Sequence, residues 1–160
     1  MSLFAFGCKA QKVDNSTVSS LDPERFLGKW YEIARYDHVF ERGLEFASAE
    51  YTQMDDCSKL KVVNRGVKDG RLKTSTGKAK FTDTPGLLRV SFFGPFYSDY
   101  RVMLLAEDYS YALVGSGSSK FLWILSRTPK MSGDVLDKIL TEASNRGYDT
   151  DQLVWVDHSR

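Results

Sequence analysis

The sequence predicts an all-β fold: an eight-stranded antiparallel up-and-down β-barrel with one C-terminal α-helix packed on its outside. Three observations carry that prediction. Apolar residues recur at period two in short segments from Gly28 onward. Turn residues separate those segments at hairpin spacing, and one helical pattern follows the last long segment. At 160 residues the chain is one domain of ordinary size, expected to span 21–160. Residues 1–20 read as a signal remnant with a flexible tether.

Lys29 to Tyr36 opens the strand series. Ala47, Ala49 and Tyr51 alternate with polar neighbours until Asp55-Asp56-Cys57-Ser58 turns the chain. Leu60, Val62 and Asn64 form the next inward set, followed after Lys68-Asp69-Gly70 by Gly77, Ala79 and Phe81. Asp83-Thr84-Pro85-Gly86 is a strong turn signal. Leu88, Val90 and Phe92 follow, then Tyr100, Val102 and Leu104, then Ala112 to Gly115, then Phe121 to Thr128. Val135, Leu136, Ile139, Leu140 and Ala143 share one helical face, with Ser132 as N-cap and Arg146-Gly147 as the end. A short strand, Leu153 to Val156, closes the series. The Phe121–Thr128 strand is apolar on both faces, so one face looks inward and the other lies under the helix. Closure into a barrel removes exposed edges. Small inward residues (Ala47, Ala49, Gly77, Ala79) beside large aromatics favour a cavity over a solid core.

Charge and composition exclude several functions. The 22 basic and 21 acidic residues nearly cancel, so the footprint of nucleic-acid binding is missing. The two histidines and two cysteines match no familiar zinc spacing, and no metal or cofactor is expected. No apolar run is long enough to cross a membrane as a helix. The start, MSLFAFGC, resembles the tail of a bacterial lipoprotein signal, in which a small residue precedes the cysteine that is acylated. Cys8 is the candidate for lipidation, and 9–20 the tether, which could reach about 40 Å if extended. A Cys8–Cys57 disulfide is the competing fate.

Gly28-Lys29-Trp30-Tyr31-Glu32-Ile33-Ala34-Arg35, Asp108-Tyr109 and Arg127 resemble, in order and spacing, the three signatures of the lipocalins; Glu107 departs from the usual Thr. Phe40-Glu41-Arg42-Gly43, Val90 to Tyr97 and Leu122 to Pro129 bring the chain closest to the bacterial outer-membrane lipoprotein lipocalins, on the apolipoprotein-D-like branch. The resemblance implies a carrier of fatty acids, lysophospholipids or similar amphiphiles, held at the outer membrane by an N-terminal lipid anchor. Structural roles follow for Trp30, Arg127, Asp108 and Tyr109, with Trp30 plugging the base under a cation–π contact from Arg127.

Inward parity nominates Tyr51, Val62, Asn64, Phe81, Val90, Phe92, Tyr100, Val102, Leu104 and Trp123 as pocket walls. Glu32 shares the parity of Trp30 and needs a partner, such as a tyrosine hydroxyl or internal water. Arg42 and Arg71 fall near the mouth, as candidates for a ligand head group or as solvated loop charge. Catalysis is not expected: Cys57 lies in a turn with no histidine beside it to activate a thiolate. An isomerase-type enzyme and an interaction or stress protein are the alternatives. Phe93 and Phe96 near the mouth would admit a homodimer or a loop that closes the pocket.

Overall fold

The computed structural model describes residues 12–159, so Cys8 and the apolar start lie outside the described residues. Eight strands close a barrel: β1 (Gly28–Tyr36), β2 (Glu45–Gln53), β3 (Lys59–Lys68), β4 (Arg71–Phe81), β5 (Leu87–Phe93), β6 (Phe96–Leu105), β7 (Tyr111–Gly115) and β8 (Leu122–Ser126). All neighbours are antiparallel, and β1 pairs with both β2 and β8, which completes the closure. A ninth strand, β9 (Leu153–Trp155), adds to the upper part of β1.

Two short elements and one long one complete the chain. Helix α1 (Pro23–Phe26) is capped by the Asp22 side chain, with proline in its first turn. Helix α2 (Gly133–Asn145) is capped by Ser132, whose hydroxyl accepts from the Val135 amide, as the sequence reading expected. Its buried face, Ile139 and Ala143, packs with Ile33, Ala34, Leu113, Leu122 and Ile124 on the outside of the barrel. The second cluster lines the bore: Trp30, Tyr51, Leu60, Val62, Ala79, Leu88, Val102, Ala112, Val114 and Leu125, with Phe26 beneath. Strand β8 therefore serves both clusters, Trp123 and Leu125 inward, Leu122 and Ile124 outward.

The register slips in four of the ladders, and the slips in β6 and β1 break the period-two reading. In β6 the register slips between Val102 and Leu104. Two residues then oppose one, and the faces exchange. Leu104, expected as an inner wall, packs instead with the outer cluster, and Leu105 takes the inward place. In β1 the slip falls between Glu32 and Ala34. Ala34 turns out beneath the helix, and Arg35 is buried on the other face.

Residues 12–20 correct the expectation of a free tether. The Asp14 amide donates to Arg146 O at 2.8 Å and the Val18 amide to Val102 O at 2.9 Å. The Arg146 guanidinium holds Asp14 O, Ser16 O and Met103 O at 2.9–3.1 Å. This stretch is a strap along the barrel wall, running from the β7–β8 loop, where Asn15 donates to Ser116 O, down to Asp22 at the opposite end.

Candidate functional site

The base of the bore is shut by packing. Trp30 is fully buried, and its Nε1 donates to Phe26 O at 2.9 Å. The Phe26 ring rests 5.2 Å from Trp30 and 5.4 Å from Tyr51. Arg127 lies over the indole, its guanidinium carbon 3.8 Å from the ring centroid. Its nitrogens donate to the carbonyls of Arg25, Leu27, Lys29 and Tyr109 at 2.7–3.1 Å. One side chain thus ties α1, β1 and the β6–β7 turn together. In that turn, Asp108 accepts from the Ser110 amide, and Tyr109 takes a positive φ of 60°. The Tyr109 hydroxyl accepts from the Asp22 amide at 2.8 Å.

Above the plug, Tyr51, Val62, Phe81, Val90, Phe92, Tyr100, Val102 and Trp123 belong to the bore cluster. Asn64 joins their face as the cross-strand partner of Ala49. Of these walls, none carries a formal charge. Asn64, Val90, Phe92, Tyr100 and Trp123 are only partly buried; Phe81, also partly buried, borders a groove at the base with Leu27, Cys57 and Leu60. An inward residue of a closed barrel keeps accessible surface only where it borders interior space or the mouth. The bore is therefore not filled solid. Gly77 contributes to its shape: a Cβ there would meet Phe92 Cδ1 at 2.7 Å, so the Phe92 ring lies flat on a position only glycine can hold. Tyr51 donates to the Tyr100 hydroxyl at 2.9 Å. Burial pushes both phenols above their ordinary range, so both stay neutral.

The upper bore holds a polar cluster. Arg35 Nη1 donates to Glu32 Oε1 at 3.3 Å and Nη2 to Glu41 O at 2.6 Å. Glu41 Oε2 accepts from Trp123 Nε1 at 3.1 Å and lies 2.7 Å from His38 Nε2. Burial pushes the Glu32 carboxyl well above the usual range, and the Glu41 charge adds to this against the opposing pull of Arg35. Burial also acts against Glu41, but its bonds to His38 and Trp123 outweigh it and hold that carboxylate below the usual range. The two carboxyls are thus pushed in opposite directions, Glu32 up and Glu41 down. His38 Nδ1 and Arg35 Nε are buried without a hydrogen bond among the described residues.

A lipocalin-like domain model matches residues 21–158. The chain belongs to the lipocalin-like family. It is 44% identical over 155 residues to an outer membrane lipoprotein Blc of Vibrio cholerae, covering 94% of this chain and 90% of that one. To the Escherichia coli K12 protein of the same name it is 46% identical over 145 residues, covering 88% and 81%. Mouse apolipoprotein D is 29% identical over 151 residues, covering 88% and 78%. Among solved structures, lobster apocrustacyanin A1 superposes with a TM-score of 0.73 at 19% identity, over 87% of this chain and 81% of that one.

In this lipocalin the three signature segments meet at the base, where Trp30, Tyr109 and Arg127 are in contact or hydrogen-bonded. Nine of the ten nominated walls share the bore face, with Leu104 displaced by its bulge. Arg42 is paired with Asp37 at 3.0 Å rather than free, and Arg71 is exposed at the β3–β4 hairpin. Cys57 is exposed in the β2–β3 turn. The partner found for Glu32 is Arg35, not a tyrosine. Sequence reading missed the Arg35–His38–Glu41 cluster because the β1 bulge reverses parity at Arg35. It missed Phe26 because α1 is a single turn, although Asp22-Pro23 is a legible N-terminal signal.

Proposed function

We propose that the protein is a carrier that takes one amphiphile with a long unbranched acyl chain, a fatty acid or lysophospholipid, into the bore, and that it does so at the outer membrane through an acylated Cys8. The observation that carries the reading is the partly accessible apolar wall standing between a sealed base and the charged Arg35–Glu41 cluster above it. Burial of ten methylenes contributes about 8 kcal/mol, while association costs ~4–15 kcal/mol. A short chain is then barely held, and affinity rises with chain length. Tyr51, Tyr100 and Asn64 are the polar handles inside. The upper cluster offers Arg35 Nε and His38 Nδ1 to a head-group oxygen. The Blc relatives carry "outer membrane lipoprotein" in their names, and this supports the anchor and its location. Family membership favours binding over catalysis, and exposed Cys57 has no activating base in hydrogen-bond reach among the described residues.

Titration with saturated fatty acids and lysophospholipids of increasing length, followed by tryptophan fluorescence, tests this reading. Affinity is expected to climb with length and to depend less on the head group. Trp123→Ala is expected to weaken binding by a few fold to about a hundredfold, equivalent to ~1–3 kcal/mol for one buried aromatic wall. Affinity independent of length in the wild type, or unchanged in the variant, means that the ligand does not lie along this wall.

A further inference from the structure

The exposed apolar residues of this barrel are gathered at one end. Val39, Phe40, Leu72, Phe93 and Phe96 are 67–78% exposed. They sit on the β1–β2 loop, the first turn of β4 and the β5–β6 hairpin, all at the open mouth. The Phe40 and Phe93 rings meet 6.2 Å apart, joining two loops into one patch. The turns at the base present no exposed large apolar side chain; the other two among the described residues, Val154 and Trp155, lie on β9. A contiguous exposed apolar patch rimmed by polar residues marks an interaction site. Around it stand Arg42, Lys68, Arg71, Lys73 and Lys120 together with the acidic Asp37, Glu45, Asp69 and Asp149, a polar rim of both signs in which Asp37 is paired to Arg42. An apolar, aromatic crown with a polar rim suits the head-group layer of a lipid surface.

The amino-terminal strap supplies a second, independent observation. Val13 lines a groove with Asp37, Ser119 and Lys120, at the level of the mouth loops, and Asn15 is bonded to Ser116. The chain therefore enters the described structure at the mouth end and descends from there. Cys8 precedes Lys12 by four residues, a reach of at most ~14 Å. Strands β1 to β4 and β6, of nine to eleven residues and tilted by about 40°, span roughly 20–25 Å from base to mouth. An anchor at Cys8 can reach a bilayer lying against the mouth, but the leash is too short for one lying against the base.

We infer that the open mouth docks face-down on the membrane that holds the anchor, its aromatic rim in the head-group layer. Ligand then passes between bilayer and bore without crossing water. This inference rests on the reading that Cys8 is the attachment point. The test uses the full chain carrying Cys57→Ser, coupled through Cys8 to lipid in phosphatidylethanolamine–phosphatidylglycerol vesicles, by native acylation or by a maleimide lipid. An environment-sensitive fluorophore is placed at Phe96→Cys or at Thr84→Cys, on the base, with spin-labelled lipid as quencher. Quenching is expected to be at least threefold stronger at position 96; equal quenching, or stronger quenching at 84, overturns the inference. The triple variant Phe40→Asp, Phe93→Asp, Phe96→Asp is expected to keep its fatty-acid affinity in solution and to take up ligand from vesicles at least tenfold more slowly. Unchanged uptake overturns it too, as does shielding of position 96 that tracks a protein dimer rather than lipid. Failure of the solution titration, or absence of acyl mass on Cys8 of the natively expressed protein, strikes the proposed function instead.

Discussion

Trp30 and Glu32 sit two residues apart on one face of β1 and meet opposite ends of the same problem. Trp30 is an apolar plug with one polar atom, and that atom is satisfied by Phe26 O. Trp30→Ala leaves a cavity beneath the bore and removes the ring under Arg127, so we expect a loss of about 3–5 kcal/mol, read by urea denaturation. Glu32 is an acid in a site that resists its charge. Because burial raises its folded-state pKa, the folded protein keeps that proton after the unfolded chain has released it. Stability from this group therefore falls as pH rises from the ordinary carboxylate range toward the raised value, with a slope of at most ~1.4 kcal/mol per pH unit. Glu32→Gln removes the slope. Its stability relative to wild type is expected to increase with pH across that window, and a difference flat in pH would show that Glu32 is ionised in the folded barrel. The plug was legible in the sequence because Gly-x-Trp and the distant arginine follow the spacing of the resemblance; Arg35, five residues beyond Trp30, was not, because its inward aim depends on a bulge that no composition signals.

The elements show the same division. Strands that bury one face announce themselves by alternation, and β2, β3 and β5 were readable for that reason, whereas β7 buries both faces and reads as a short apolar run. The start of β4, Arg71 to Thr76, is exposed on both faces and polar except for Leu72, so it had no period to read. Helix α2 was legible from its apolar stripe and cap. The strap was not, because it has no periodicity and is held by backbone groups, chiefly through Arg146. That attachment can be tested apart from the barrel. Arg146→Ala is expected to cost about 1–2 kcal/mol through three lost hydrogen bonds to carbonyls, and to raise hydrogen exchange at the Asp14 and Val18 amides while β3 and β8 stay protected. Uniform loss of protection would mean that the strap and the barrel open as one unit.

For the whole molecule, the question is what holds it at a membrane and which way up. A single acyl chain gives marginal, reversible attachment, so stable anchoring takes two signals. Multiple acylation of Cys8 would supply both, and the aromatic crown at the mouth adds another on the same side of the barrel. The described residues close the barrel without Cys8, and the crown is exposed. Cys8→Ser, expressed from the complete native gene, is therefore expected to leave the barrel's melting temperature unchanged, within the ~0.5 kcal/mol typical of surface substitutions. Fractionation should show the opposite of indifference: wild type with the outer membrane and carrying acyl mass at Cys8, the variant released to the soluble fraction. A variant that still sediments fully with membrane would assign the attachment to the mouth alone. Wild type that is soluble and unmodified would leave the crown without a membrane to meet, and Cys8 free to form the competing disulfide with exposed Cys57.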